Sequence, residues 1–171
     1  MKGQGDQSAP RTPLSAGVNE VTAAPAAKGP VAIVASRYNA EIMEGLIGGA
    51  LAELAERGIE GDQVFLLRVP GAFEIPQAVA QLLTRPTGWT AVVTLGCVIR
   101  GETPHFDYVC RAAADGIGEI ARRQSVPVTL GVLTTDTLDQ AQARSADDAD
   151  NKGREATRSA LELAGLLAHL P

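Results

Sequence analysis

From residue 30 onward the apolar positions of this chain switch between short unbroken runs and longer stretches with helical spacing. Val31 to Ala35 is an unbroken run, which predicts a strand covered on both faces. Ile42, Met43, Leu46, Ile47, Ala50, Leu51 and Leu54 then recur at helical spacing, behind Asn39 as a predicted cap and ahead of Gly58 as a stop. Val64 to Val69 predicts a second strand, ended by Pro70-Gly71, and Pro76 suits the first turn of a short helix through Leu83. Ala91 to Leu95 predicts a third strand, and Val128 to Leu133, introduced by Pro127, a fourth. Between these two, Phe106, Val109, Ala113, Ile117 and Ile120 mark one face of a long helix. A short helix from Leu138 to Arg144 and a long one from Lys152 to Leu170 follow. In the last, Ala156, Ala160, Leu163, Leu167 and Leu170 form the predicted buried stripe, opposite Arg154, Arg158 and Glu162.

Strand and helix alternate four times, which predicts an α/β fold: a four-stranded parallel sheet with helices on both faces. Such sheets bind ligands beyond the carboxyl ends of their strands. Four loops belong at that edge: Ser36 to Asn39, Pro70 to Glu74, Cys97 to His105, and Thr134 to Asp136. The stretch from Leu95 to Tyr108 stands out among them. It leaves a strand, breaks at Gly101-Glu102-Thr103-Pro104, and presents His105 where a helix should begin. A group that titrates near neutrality, beside an anion-binding helix start, suits proton transfer. A helix-start histidine with a purely structural hydrogen bond is the competing reading.

With 171 residues the chain is long enough for one domain with a real core. Residues 1–29 are rich in Gly, Ala, Ser and Pro and lack periodicity, which predicts a flexible arm that could add a strand to a neighbouring subunit; residues 30–171 form the predicted domain. A net charge of −5 leaves no global attraction for nucleic acid or an anionic membrane, so an anionic ligand needs a local device. Cys97 and Cys110 lie in apolar stretches and read as buried inert thiols rather than a disulfide. Neither a membrane-spanning run nor the apolar core of a secretion signal is present, so the expected location is cytoplasmic.

The ordered segments Val69-Pro70-Gly71-Ala72-Phe73-Glu74-Ile75-Pro76 and Gly96 to His105 closely resemble the lumazine synthase family. Leu133-Thr134-Thr135, Gln140 to Arg144 and Asn151-Lys152-Gly153 extend the resemblance over about residues 30–168. It implies a flavodoxin-like sheet and pentameric rings in which adjacent subunits share each active site. The implied reaction is the penultimate step of riboflavin biosynthesis. In it 5-amino-6-(D-ribitylamino)uracil condenses with 3,4-dihydroxy-2-butanone 4-phosphate to 6,7-dimethyl-8-ribityllumazine, phosphate and water, with no metal or organic cofactor.

By this resemblance His105 is the acid/base that moves protons during imine formation, phosphate loss and ring closure. Arg144 is the phosphate clamp, since a guanidinium grips two oxygens at once; a cation set against a helix C-terminus is the alternative. Glu102 and Thr103 add backbone N–H groups to the same phosphate, as does Gly101. Tyr38 stacks on the pyrimidine. Ala72, Phe73 and Glu74 hold the ribityl chain and ring largely through the main chain, with a core role competing for Phe73. Cys97, Val98 and Ile99 meet the ring edge by backbone. Leu130 departs from a family that often has phenylalanine there, reaching the neighbouring subunit's pyrimidine. Lys152 either aids anion or pyrimidine binding near Arg144 or is a solvated helix-start lysine.

Capsid-forming relatives often carry a glycine-bearing turn before Asn-Lys-Gly, whereas this chain reads Ser145-Ala-Asp-Asp-Ala-Asp150. The expectation is therefore free or paired pentamers rather than shells. A non-catalytic flavin or lumazine carrier and a purely structural shell protein are the alternatives in function. A flavodoxin-type electron carrier would need a hydroxyl- and glycine-rich loop after the first strand, and Ser36-Arg37-Tyr38-Asn39-Ala40-Glu41 is not one.

Overall fold

The structure is a computed structural model and describes residues 29–170. The expected arm therefore lies, apart from Gly29, outside the described residues. Strands β1 (Val31–Ser36), β2 (Val64–Val69), β3 (Ala91–Ile99) and β4 (Val128–Thr135) run parallel in the order β2-β1-β3-β4. Helices α1 (Ala40–Glu56), α2 (Ile75–Leu82), α3 (His105–Arg123), α4 (Leu138–Ser145) and α5 (Lys152–Leu167) alternate with them. The predicted three-layer α/β fold is the one observed.

Period-two alternation sorts the strand residues between two cores. Val31, Ile33, Ala91, Val93, Leu95 and Leu133 pack beneath α1, α4 and α5. Ala32, Val34, Val92 and Val128 pack beneath α2 and α3 with Ile75, Val79, Ala113 and Ile117. All six residues of β1 are buried, which explains why it reads as an unbroken apolar run.

Two boundaries differ from expectation. β3 runs on to Ile99 and β4 to Thr135, because pairing continues from Gly96↔Val132 to Ile99↔Thr135. Gly96 and Cys97 are thus strand rather than loop. α5 ends at Leu167 instead of Leu170, and its buried face is Gly153, Ala156, Thr157, Ala160, Leu161, Ala164 and Gly165. Leu163, Leu167 and Leu170 from the predicted stripe are exposed. Only small residues allow the close approach that α5 makes: a Cβ on Gly131 of β4 would meet Ala156, and one on Gly153 would fall on the Leu46 carbonyl of α1.

The charged side of α5 is likewise more than a solvated face. Glu53 of α1 is only 3% exposed. Its carboxylate accepts hydrogen bonds from Arg57 Nη2 at 2.9 Å, Arg158 Nη2 at 3.0 Å and Arg154 Nη1 at 3.4 Å. Burial pushes the Glu53 carboxyl up, but the bonds from Arg158 and Arg57 outweigh it and hold the group below its ordinary 4.5. A lowered folded value gives stability that is complete above the unfolded value and is lost as pH falls through the folded one. Glu53→Gln should cost on the order of 2 kcal/mol at neutral pH, moderated because the arginines reach water. In chemical denaturation the gap from wild type should close as the pH drops below 4.5; a gap that is constant with pH would remove the charge from the explanation.

Candidate active site

β1 pairs with β2 on one side and β3 on the other, so β1 and β3 are the central strands and the chain departs from them in opposite directions. α1 follows β1 onto one face and α3 follows β3 onto the other, which leaves a crevice beyond the carboxyl ends of these two strands.

Three loops are stitched together there. The Arg37 N–H donates to the Pro70 carbonyl at 3.3 Å. Asn39 Nδ2 donates to the Cys97 carbonyl at 3.1 Å, spanning the crevice from β1 to β3. Asn39 stands just before α1 with φ 59°, and its side chain makes no cap hydrogen bond. The predicted capping role is therefore corrected: the amide reaches across the sheet edge, and the left-handed backbone that asparagine tolerates aims it there. The Tyr38 ring lies 3.2 Å from where a Cβ on Gly71 would stand, so any larger residue at 71 would press on it. Glu74 Oε2 accepts from the Gly71 N–H at 2.8 Å and closes the single 3₁₀ turn Ala72–Glu74.

Tyr38 and Phe73 are 70% and 61% exposed, so Phe73 has no core role in this chain. Two bare rings beside a crevice can cover the faces of a planar ligand. Ala72 is buried. Val98 and Ile99 are half-buried at the end of β3. Burial lifts the Cys97 thiol to about 11, against an opposing hydrogen bond from Asn39, so no thiolate is available at neutral pH. His105 opens α3, as the sequence predicts, and its side chain is exposed; Glu102 and Thr103 are exposed in the turn before it.

Leu130, Arg144 and Lys152 lie elsewhere. They line a concavity of about 400 Å³ beside the edge strand β4, with Thr134, Glu155 and Ser159. None of Tyr38, Phe73, Glu102, Thr103 or His105 borders it. The hydroxyls of Thr129 and Thr135 on its wall are buried without a protein partner. Arg144 Nη1 donates to the Gln140 carbonyl of its own helix at 2.9 Å, and Lys152 is paired with Glu155. Leu130 is 52% exposed on a strand with one open edge. The candidate residues thus form two groups, one along the carboxyl edge of the sheet and one at its flank.

The sequence profile of 6,7-dimethyl-8-ribityllumazine synthase matches residues 29–168, which takes in both groups. The chain belongs to the 6,7-dimethyl-8-ribityllumazine synthase family. The 6,7-dimethyl-8-ribityllumazine synthase of Salinibacter ruber (strain DSM 13855 / M31) is 49% identical over 139 residues, 81% of this chain and 88% of that relative. Among the described residues no helix is long and apolar enough to cross a membrane.

The motif segments of a lumazine synthase now acquire physical reasons. Asn151 caps α5, its Oδ1 accepting from the Gly153 and Arg154 N–H groups at 2.9 and 3.2 Å. Its Nδ2 donates to the carbonyls of Gly45 at 3.1 Å and Ala146 at 2.8 Å, so one buried amide ties α1, the turn after α4 and α5 together. Lys152 and Arg144 are placed by that knot. Arg100 was passed over in the sequence, although a cation between a strand end and a helix start, with Asp107 seven residues on, was the available signal. It donates from Nε to Asp136 at 2.8 Å and from Nη1 to Asp107 at 3.2 Å, and its guanidinium carbon lies 4.1 Å from the Phe106 ring centre.

Proposed function

We infer that this chain condenses 5-amino-6-(D-ribitylamino)uracil with 3,4-dihydroxy-2-butanone 4-phosphate, releasing 6,7-dimethyl-8-ribityllumazine, inorganic phosphate and water. The observation that carries the reading is the family match across residues 29–168. The exposed rings and the helix-start histidine at the sheet edge support it.

In this reading Tyr38 and Phe73 flank the pyrimidine, while Ala72, Glu74, Cys97, Val98 and Ile99 hold the ring edge and ribityl chain. Main-chain groups suit that task, because a buried Ala72 and a protonated Cys97 offer no side-chain chemistry. The phosphate rests on the N–H groups of Glu102 and Thr103 and on the guanidinium of Arg144, with Lys152 beside it. His105 shuttles protons as the first amine condenses with the ketone and releases water, phosphate leaves, and the second amine closes the ring with loss of a second water. Fixing two reactants together supplies the larger share, roughly 7–11 kcal/mol of the barrier in well-oriented cases.

The two separate groups of candidate residues favour a homo-oligomer, a ring of five in which Leu130, Arg144 and Lys152 of one protomer complete the site opened by His105 of the next. The residue-30 boundary between arm and domain and a cytoplasmic location belong to the same reading. The carrier alternative gains no specific support. Mixing the protein with both substrates should produce the lumazine chromophore well above the spontaneous rate, and light scattering should report a pentamer or a pair of pentamers. No acceleration would leave only a carrier, and a particle near one megadalton would replace the free ring with a shell.

A further inference from the structure

Arg100 occupies the point where β3, β4 and α3 meet. Its backbone N–H donates to the Thr135 carbonyl at 2.9 Å, continuing the β3–β4 ladder to its last rung. From there the side chain reaches in two directions. Nε donates to Asp136, the residue that follows β4, at 2.8 Å. Nη1 donates to Asp107, in the first turn of α3, at 3.2 Å, and the guanidinium covers the face of Phe106 at 4.1 Å. Asp136 is itself anchored: its N–H donates to Gln140 Oε1 at 2.9 Å, on α4.

These contacts bracket His105. Pro104 stands at the N-cap position of α3 and offers no side-chain cap, which leaves the first turn without support beyond backbone bonds such as that from the Asp107 N–H to the Pro104 carbonyl at 3.0 Å. Phe106 is buried, and Asp107 is held by a cation rooted in the sheet. The imidazole of His105, just ahead of them, projects into water from a turn that Arg100 ties to the β4 end. A lysine, with one compact ammonium, could not bond both aspartates and lie flat on the ring. Exposed ion pairs contribute little to global stability, so this arrangement is better explained by placement than by holding the fold.

Resting on the assignment of His105 as the acid/base, we propose that Arg100 is a positioning residue for the reaction, setting the first turn of α3 so that the His105 imidazole meets the reacting atoms. The proton transfers themselves are unchanged by this role. In this role Arg100 acts through the helix start rather than by contact with substrate.

The test is a double-mutant cycle on turnover with both substrates saturating. Arg100→Ala should lower turnover about tenfold, a fraction of the loss on removing a general acid–base outright, with an unchanged melting temperature. In a His105→Ala background the same substitution should change turnover by less than about twofold, because contacts acting through one group are not additive. Asp136→Ala, which removes the anchoring carboxylate and leaves Arg100 in place, should depend on His105 in the same way, and this arm decides the matter if the Arg100 variant does not fold. A full tenfold loss in both backgrounds, or none in either, overturns the proposal while leaving the role of His105 intact. Wild-type turnover in His105→Ala alone is the distinct outcome in which the assignment beneath it fails.

Discussion

Mixed oligomers of His105→Ala and Arg144→Ala should regain activity well above that of either variant alone. His105→Ala should lower turnover about a hundredfold, the low end for loss of an acid–base group, and Arg144→Ala should weaken the phosphate substrate by removing its bidentate partner. At subsaturating phosphate substrate both preparations are therefore nearly inactive. His105 opens α3 at the carboxyl edge of the sheet, whereas Arg144 borders the concavity beside β4, on α4 under the opposite layer. In a ring with head-to-tail contacts each protomer then gives its histidine to one pocket and its arginine to another. Random mixing should rebuild about a quarter of the pockets with both native residues. Unfolding and co-refolding the two variants, then assaying against each refolded separately, measures this. If each chain carried a whole site, mixing would add nothing, and the shared pocket would be lost from the proposal.

Sorting the candidate residues into two groups took the sheet order, which local patterning in the sequence does not give. His105 at a helix start could be read from a strand tail, a Gly-Glu-Thr-Pro break and an amphipathic run, all local. β1 and β2 could be read to within a residue because burial on one or both faces dictates their composition. The lateral order β2-β1-β3-β4 is not a local property, so periodicity did not reveal that Leu130 stands on an edge strand and lines the concavity there. β3 and β4 continue further than predicted because their last rungs rest on mutual pairing, through a glycine and a cysteine that resemble loop residues. Hydrophobicity misjudged α5 for a related reason. It weights Leu163 and Leu167, whereas the helix, Leu161 apart, buries Ala, Gly and Thr, and at Gly153 its neighbour comes too close for anything larger. Glu53 and Arg57, four apart on one helix, resemble an ordinary solvated pair. Only the arrival of Arg154 and Arg158 from α5 reveals the carboxylate as a buried hub.

The tightest of these approaches carries the largest expected effect on stability. Gly153→Ala should destabilise the protein by about 3 kcal/mol, the upper range for overpacking, even though alanine is the better helix former by about 1 kcal/mol. The added methyl would fall on the carbonyl oxygen of Leu46, with that residue's carbonyl carbon 2.7 Å away and its Cα 3.0 Å away. These are backbone atoms in the middle of α1, and no rotamer change can clear them. Relief requires moving α5 off α1, which stretches the Asn151 bonds to Gly45 and Ala146 and draws Lys152 and Arg144 with it. The expected result is a lower denaturation midpoint together with poorer use of the phosphate substrate by whatever remains folded. Gly48→Ala is the control, because it lies on the same helix as Leu46 and a methyl there meets nothing within 4 Å. That variant should be neutral or slightly stabilised. Equal effects at 48 and 153 would mean that helix propensity, not the α1–α5 approach, governs both positions, and the packing account of the Asn-Lys-Gly segment would fall with it.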